Sequence, residues 1–183
     1  MNADILRLRH PSRRQLLSSA AILAAISGLA GCGPSRQKLA AFWALRLPAV
    51  GPNSNSKEVA LAAFQGRPLL ANFWATWCPP CVAEMPMLSR FYANRGKQNW
   101  QCLGLAVSDS RARVEQFLAR APVVFPVALA GDEGMEISQG LGNQSITMPG
   151  GGLPFTVLFD AKGHITHNKI GQLEHSDLQA WLG

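Results

Sequence analysis

Leu69-Leu70-Ala71-Asn72-Phe73-Trp74-Ala75-Thr76-Trp77-Cys78-Pro79-Pro80-Cys81 is the stretch from which the fold of this chain is read. An apolar run is followed by Trp-Cys and then by Val82, Ala83, Met85, Met87 and Leu88, so the pattern is a buried strand, a sharp turn and a helix that begins at the cysteines. The first sulfur then sits at a helix N-terminus, where unpaired N–H groups and the positive end of the helix dipole favour thiolate over thiol. Cys81 is three positions on and within reach of Cys78. Attack by Cys78 on a foreign disulfide would make a mixed disulfide; Cys81 would resolve it, leaving the partner reduced and this chain oxidised. The competing reading is a purely structural bridge, which would close so small a loop that it contributes little loop entropy.

On the N-terminal side, Gly33 to Lys38 reads as a polar tether and Leu39 to Leu47, ended by Pro48, as a small edge strand. Gly51 to Ser56 is a dense turn signal, and Glu58 to Phe64 is a short strand running into a helical turn. The helix from the cysteines is expected to reach about Asn94 with Pro86 inside it, where a missing N–H bends it. Trp100 to Ser108 is a second buried strand, and Arg111 to Arg120 an amphipathic helix with Val114, Phe117 and Leu118 inward. Val123 to Ala130 is β-like but interrupted by Pro126, and Gly131 to Gly142 is expected to be a helical turn or loop. Phe155 to Phe159 and Ile165 to Ile170 flank the hairpin signal Asp160-Ala161-Lys162-Gly163, and Ser176 to Leu182 is a closing helix with Ser176 as N-cap.

Residues 1–31 are read as a leader. Arg7, Arg9, Arg13 and Arg14 make a basic region, Leu16 to Ala30 is too short to read comfortably as a membrane span, and Leu29-Ala30-Gly31-Cys32 closes it. That tetrapeptide resembles a bacterial lipobox. The resemblance implies cleavage before Cys32 and a lipid on its sulfur, so that residues 32–38 form a lipidated tether and 39–183 one folded domain. Ser12-Arg13-Arg14-Gln15-Leu16-Leu17 also resembles a twin-arginine signal, and both export routes stay open. The alternative for the whole segment is an uncleaved anchor helix with Cys32 unmodified.

The net charge is +6, but the segment up to Gly31 holds four arginines against one aspartate, half of that excess. The remaining charges are scattered with no basic run interleaved with aromatics, which argues against nucleic acid as a partner. With Cys32 assigned to lipid and Cys78 paired with Cys81, Cys102 is left over and reads as a small buried hydrophobe. His164 and His167 flank a turn without further ligands nearby, so no metal site is expected.

A strand–helix–strand unit, a hairpin and a last helix make a mixed α/β arrangement, and a C-x-x-C at the first strand–helix junction reads as thioredoxin-like. From about Leu39 to Leu182 the chain resembles the TlpA/ResA/DsbE group of membrane-tethered thioredoxin-like proteins. The carrying residues are Asn72 to Cys81, Glu84, Pro86, Gly152-Leu153-Pro154-Phe155-Thr156-Val157-Leu158-Phe159-Asp160, Gly163 and Gly171. The resemblance implies a central mixed sheet of four or five strands flanked by helices, with an N-terminal β extension and a central insertion over Arg120 to Gly142. It implies a cis-proline at Pro154, whose loop faces the cysteines and, with Leu153, Trp77 and Pro79, contacts an incoming peptide. It further implies that Glu84 is a partly buried carboxylate that influences the titration of Cys78 and Cys81, against the plainer reading of a solvated helix glutamate. Asn72 stands where thioredoxin has a buried aspartate, which leaves Glu84 as the candidate acid.

These readings converge on a thiol:disulfide oxidoreductase with no cofactor beyond its own redox pair. The chain is expected to be a monomer on a lipid anchor in the bacterial envelope, facing the periplasm. It would reduce client proteins, in cytochrome c maturation or copper-site assembly, and be recharged by a membrane electron-donor thiol protein. The rival classes are a copper(I) metallochaperone using the paired thiols as ligands and a thiol peroxidase-like redoxin. The latter needs a peroxidatic cysteine in its own pocket, which the C-x-x-C placement argues against.

Overall fold

Strand β3 (Leu69–Trp74) is buried at every residue, and so is β4 (Gln101–Val107) beside it; both are near-continuous apolar runs, as expected of parallel strands covered on two faces. The computed structural model describes residues 36–52, 56–95, 98–143 and 151–182; the leader, Cys32 and the start of the tether lie outside the described residues. The remaining elements are α1 (Arg36–Ala44), β1 (Arg46–Val50), β2 (Glu58–Ala60), a 3₁₀ turn over Leu61–Phe64, α2 (Pro79–Arg95), α3 (Arg111–Arg120), β5 (Val127–Gly131), α4 (Gly134–Gly140), β6 (Phe155–Phe159), β7 (Ile165–Ile170) and α5 (His175–Leu182). They build one mixed sheet in the order β2-β1-β5-β4-β3-β6-β7, with β4 parallel to both its neighbours and the other pairs antiparallel.

Alternation along β3 sorts the core into two layers. Leu70 and Trp74 face α2, α3 and α5 in a cluster that includes Cys78, Cys81, Leu88, Val114, Leu118 and Leu178. Leu69, Ala71 and Phe73 face the other way, toward α1 and α4, in a cluster with Phe42, Trp43, Leu105 and Phe159. Phe117, expected inward on α3, is partly buried against the first cluster and lies 5.2 Å from the Trp74 ring.

Four expectations are corrected. The edge strand expected over Leu39 to Leu47 is α1 followed by β1, and α1 takes in residues 36–38 of the expected tether. The reason is tertiary: Phe42 stacks on Phe159 at 5.1 Å, Trp43 meets the same ring edge-on at 4.9 Å, and Trp43 Nε1 donates to the Gly163 carbonyl at 3.2 Å. These contacts seat a helix whose own pattern is weak. Gly163 is at φ 80°, and a Cβ there would stand 3.0 Å from Trp43 Nε1, so a glycine lets the hairpin and the indole approach. Trp43→Ala is expected to destabilise the fold by ~3–5 kcal/mol, the usual cost of removing a buried aromatic, as measured by urea unfolding.

The segment expected as a central insertion supplies strand β5, so the central sheet has five strands, and the expected N-terminal β extension is the β1–β2 hairpin, which joins it through β5 and brings the sheet to seven. Pro126 precedes β5 and does not interrupt it; Pro48 is tolerated in β1 because pairing with β5 begins only at Ala49. Finally, Ser176 lies inside α5. Glu174 holds the N-cap position: its carbonyl accepts from Leu178 N–H, and its N–H donates to Asp177 Oδ2 at 2.7 Å. Among the described residues no helix is long and apolar enough to cross a membrane.

Candidate active site

The turn Ala75–Trp77 brings the chain from the end of β3 into α2 with Cys78 at the N-cap. Its N–H donates to the Ala75 carbonyl and its carbonyl accepts from Val82 N–H. Pro79 and Pro80 occupy the first two helical positions, where their missing N–H groups cost no helical bond. The first remaining donor of the helix is Cys81 N–H, and it points at Cys78 Sγ, 3.4 Å away. A negative charge on Sγ of the reduced protein would be stabilised by that bond and by the helix terminus behind it. In this structure the two sulfurs are joined as a disulfide. Cys78 is 5 % exposed and Cys81 0 %, so the sulfur open to a partner is that of Cys78.

The turn is pinned from the loop between β4 and α3. Asp109 Oδ2 accepts from Thr76 N–H at 2.8 Å and its Oδ1 accepts from Ser110 N–H at 3.0 Å, while the Ser108 carbonyl accepts from Trp77 Nε1 at 3.0 Å. Trp77, 45 % exposed, is thereby held beside the cysteines, and Pro79 is also exposed. Trp74, by contrast, is wholly buried. Sequence reading missed Asp109; its one signal was an aspartate between a strand end and the Ser110 cap of α3.

Leu153–Pro154 is a cis peptide bond, as the resemblance implied for Pro154. Leu153 packs on the cluster that contains both cysteines, and the Pro154 carbonyl accepts from Gly171 N–H at 2.8 Å. The approach to this loop is partly described: Gly151 is at φ 63°, a conformation glycine adopts without strain, and a Cβ there would displace the end of the Met135 side chain, whose Cε would stand 2.3 Å away. Pro149 and Gly150 lie outside the described residues.

Glu84 is three residues after Cys81, on the same helix face and about one turn below it. It is 1 % exposed, which removes the reading of a solvated glutamate. Both carboxyl oxygens are used: Asn72 Nδ2 donates to Oε1 at 2.7 Å and Leu173 N–H donates to Oε2 at 2.6 Å. Burial raises its pKa to about 7 against the pull of these two bonds and of the Lys169 charge. Asn72 Nδ2 also donates to Thr156 Oγ1 at 3.0 Å, whereas its buried Oδ1 has no partner among the described residues. Cys102 lies fully buried in the cysteine cluster, its thiol pushed far up by burial and further by the Glu84 charge. His167 stacks on Trp181 and His164 pairs with Asp160, and among the described residues no three His, Cys, Asp or Glu side chains converge on a metal-sized site.

The arrangement can do one thing chemically without outside groups: hold a disulfide or dithiol with one accessible sulfur, one buried sulfur, and a buried acid that titrates near neutrality. The redoxin family model matches residues 44–182. The chain belongs to the redoxin family. Among its relatives, this redoxin is 29 % identical over 126 residues to the thiol-disulfide oxidoreductase ResA of Bacillus cereus, an alignment covering 69 % of this chain and 68 % of that one. Its fold matches a secreted Mycobacterium tuberculosis disulfide oxidoreductase homologous to DsbE, with TM-score 0.59 and 21 % identity over 81 % of this redoxin and 98 % of the other chain. StoA of Bacillus subtilis matches with TM-score 0.58 and 20 % identity, covering 76 % of this redoxin and 96 % of that chain. The expected thioredoxin-like architecture and kinship with the ResA and DsbE proteins both hold for this redoxin.

Proposed function

We propose that this redoxin is an envelope-facing reductant of client disulfides, held to a membrane by lipid on Cys32. At the coarser level it is a thiol:disulfide oxidoreductase of the ResA/DsbE type, with Cys78 and Cys81 as its C-x-x-C pair. The observation that carries the mechanism is the asymmetry of that pair: Cys78 is the reachable sulfur with a helix N–H aimed at it, and Cys81 is sealed in beside a buried acid.

The Cys78 thiolate attacks one sulfur of a client disulfide, and the other client sulfur leaves as a thiolate. Glu84, ionised, draws the proton from the buried Cys81 thiol; the Cys81 thiolate then attacks Cys78 Sγ and expels the second client sulfur. The client gains two electrons and ends as a dithiol, and the enzyme ends as the Cys78–Cys81 disulfide seen in the structure. Trp77, Pro79, Leu153 and Pro154 present the apolar and backbone surface on which the client strand rests. A membrane thiol protein returns the electrons, and a cytochrome c precursor or a copper-site assembly protein is the proposed client.

The reduction potential decides the direction. Equilibration with dithiothreitol or glutathione buffers, followed by alkylation of free thiols, is expected to give a value near or below roughly −270 mV, that of a reductant. A value near roughly −120 mV would make the protein an oxidant and reverse the proposed direction.

A further inference from the structure

Across three adjacent strands, Asn72, Thr156 and Lys169 stand side by side: the register pairs Asn72 of β3 with Thr156 of β6, and Thr156 with Lys169 of β7. Residues directly opposite share a face of the sheet. All three therefore lie on the face covered by α2 and α5, the helices that carry Glu84 and Asp177. The preceding row on the same face is Cys102, Leu70 and Leu158, all buried and apolar in character.

Exposure grows along the polar row. Asn72 and Thr156 are fully buried, whereas the Lys169 and Asp177 side chains are 31 % and 24 % exposed. At the inner end Asn72 bonds both Glu84 and Thr156; at the outer end Lys169 Nζ pairs with Asp177 Oδ2, which also accepts from Glu174 N–H. The two ends are joined by main chain as well: the Leu173 N–H that holds Glu84 Oε2 belongs to the short link between β7 and α5. The Lys169 ammonium thus stands at the rim of this buried row, paired with Asp177 and on the same helix-covered face of the sheet as the Asn72 that holds Glu84.

We propose that Lys169 is a positioning residue for the charge on Glu84, its ammonium stabilising the ionised acid from the sheet edge while Asp177 competes for the same ammonium. This rests on the reading of Glu84 as the acid that serves the cysteine pair. The other groups facing Glu84 do not reproduce the effect. Cys102 on β4 is held protonated by burial, the Cys78–Cys81 bond on α2 carries no charge, and Glu174 and His175 at the start of α5 are exposed. His167 of β7 is turned onto Trp181.

The signs follow from charge alone. Losing Lys169 removes attraction and raises the Glu84 midpoint; losing the Asp177 charge frees the ammonium, removes a like charge, and lowers it. The test is carbon NMR of the Glu84 carboxyl through a pH titration of the oxidised protein. Lys169→Met is expected to move the midpoint up by ~0.5 pH unit, about a threefold change in ionisation ratio, as one partly screened charge does. Asp177→Asn is expected to move it down, and Lys169→Arg to leave it near wild type. An unmoved midpoint in Lys169→Met, or the same direction of shift in Lys169→Met and Asp177→Asn, would overturn the proposal, because mere loosening of the β7–α5 corner acts alike in both. The pH profile of Cys78 alkylation in the reduced variants separates the two readings. If the carboxyl midpoint moves as stated and the thiol profile does not, the Lys169 coupling stands and the role given to Glu84 falls.

Discussion

Replacing Cys81 by serine is expected to turn the enzyme into a trap. Cys78 keeps its place at the N-cap of α2, with the helix terminus behind its sulfur and Trp77 and Pro79 exposed beside it, so its attack on a client disulfide survives. The resolving sulfur is gone. Mixed disulfides between Cys78 and clients should accumulate, and multiple-turnover reduction should fall by at least ~10³-fold, as when one member of a catalytic unit is lost. Cys78→Ser should lose turnover equally but trap nothing, because Cys81 has no exposure to solvent. Non-reducing gels of envelope extracts, with mass spectrometry of the captured adducts, read this directly. Adducts through Cys81 in the Cys78→Ser protein would place the nucleophile on the wrong residue.

Glu84→Gln should change how stability responds to pH. The acid has a pKa of about 7 in the folded protein against an ordinary 4.5, so between those values the folded state holds a proton that the unfolded chain has released. Stability of the wild type therefore falls as pH rises through that window, by ~3 kcal/mol in all, and levels off above it. Glutamine keeps the Leu173 N–H satisfied through its carbonyl. Its amide can donate to Asn72 Oδ1, which has no partner among the described residues of the wild type, once the Asn72 amide turns over. The variant should then be about as stable as wild type near pH 4, more stable by ~2–3 kcal/mol at pH 8, and flat between. In the reduced form its thiol titration should lose the component near neutrality. Urea unfolding at pH 4, 6 and 8 checks the first claim, and a wild type with no slope from pH 5 to 7 would show that Glu84 is ionised as an ordinary carboxylate.

The contrast between α1 and α2 shows where sequence reading succeeds. Helix α2 begins where the Trp77-Cys78-Pro79-Pro80-Cys81 pattern puts it, since prolines at the first two helical positions and a buried strand just before them are local signals. Helix α1 carries no strong periodicity, and its identity comes from Phe42 and Trp43 meeting Phe159 and Gly163, residues more than a hundred positions away. A short apolar stretch read without that partner fits a strand equally well. The same holds for β5: Pro126 looks like a break until the strand is seen to start after it and to join β4 to the N-terminal hairpin.

The site divides in the same way. Cys78, Cys81, Glu84 and Pro154 are named by spacing and by resemblance, and Trp77 by its position beside them. Asp109, Leu173, Lys169 and Asp177 carry no motif; they come to the site only because β6 pairs with β3, β7 with β6, and the β4–α3 loop folds over the turn before α2. The sequence by itself determined that this chain performs dithiol chemistry, because a C-x-x-C after a buried strand sets helix terminus and sulfurs together within thirteen consecutive residues. Only the tertiary structure decided which sulfur is open and in what charge state the neighbouring acid sits. Both depend on burial and on hydrogen bonds from strands and loops remote in the chain, and solvent exclusion is a property of the packed whole.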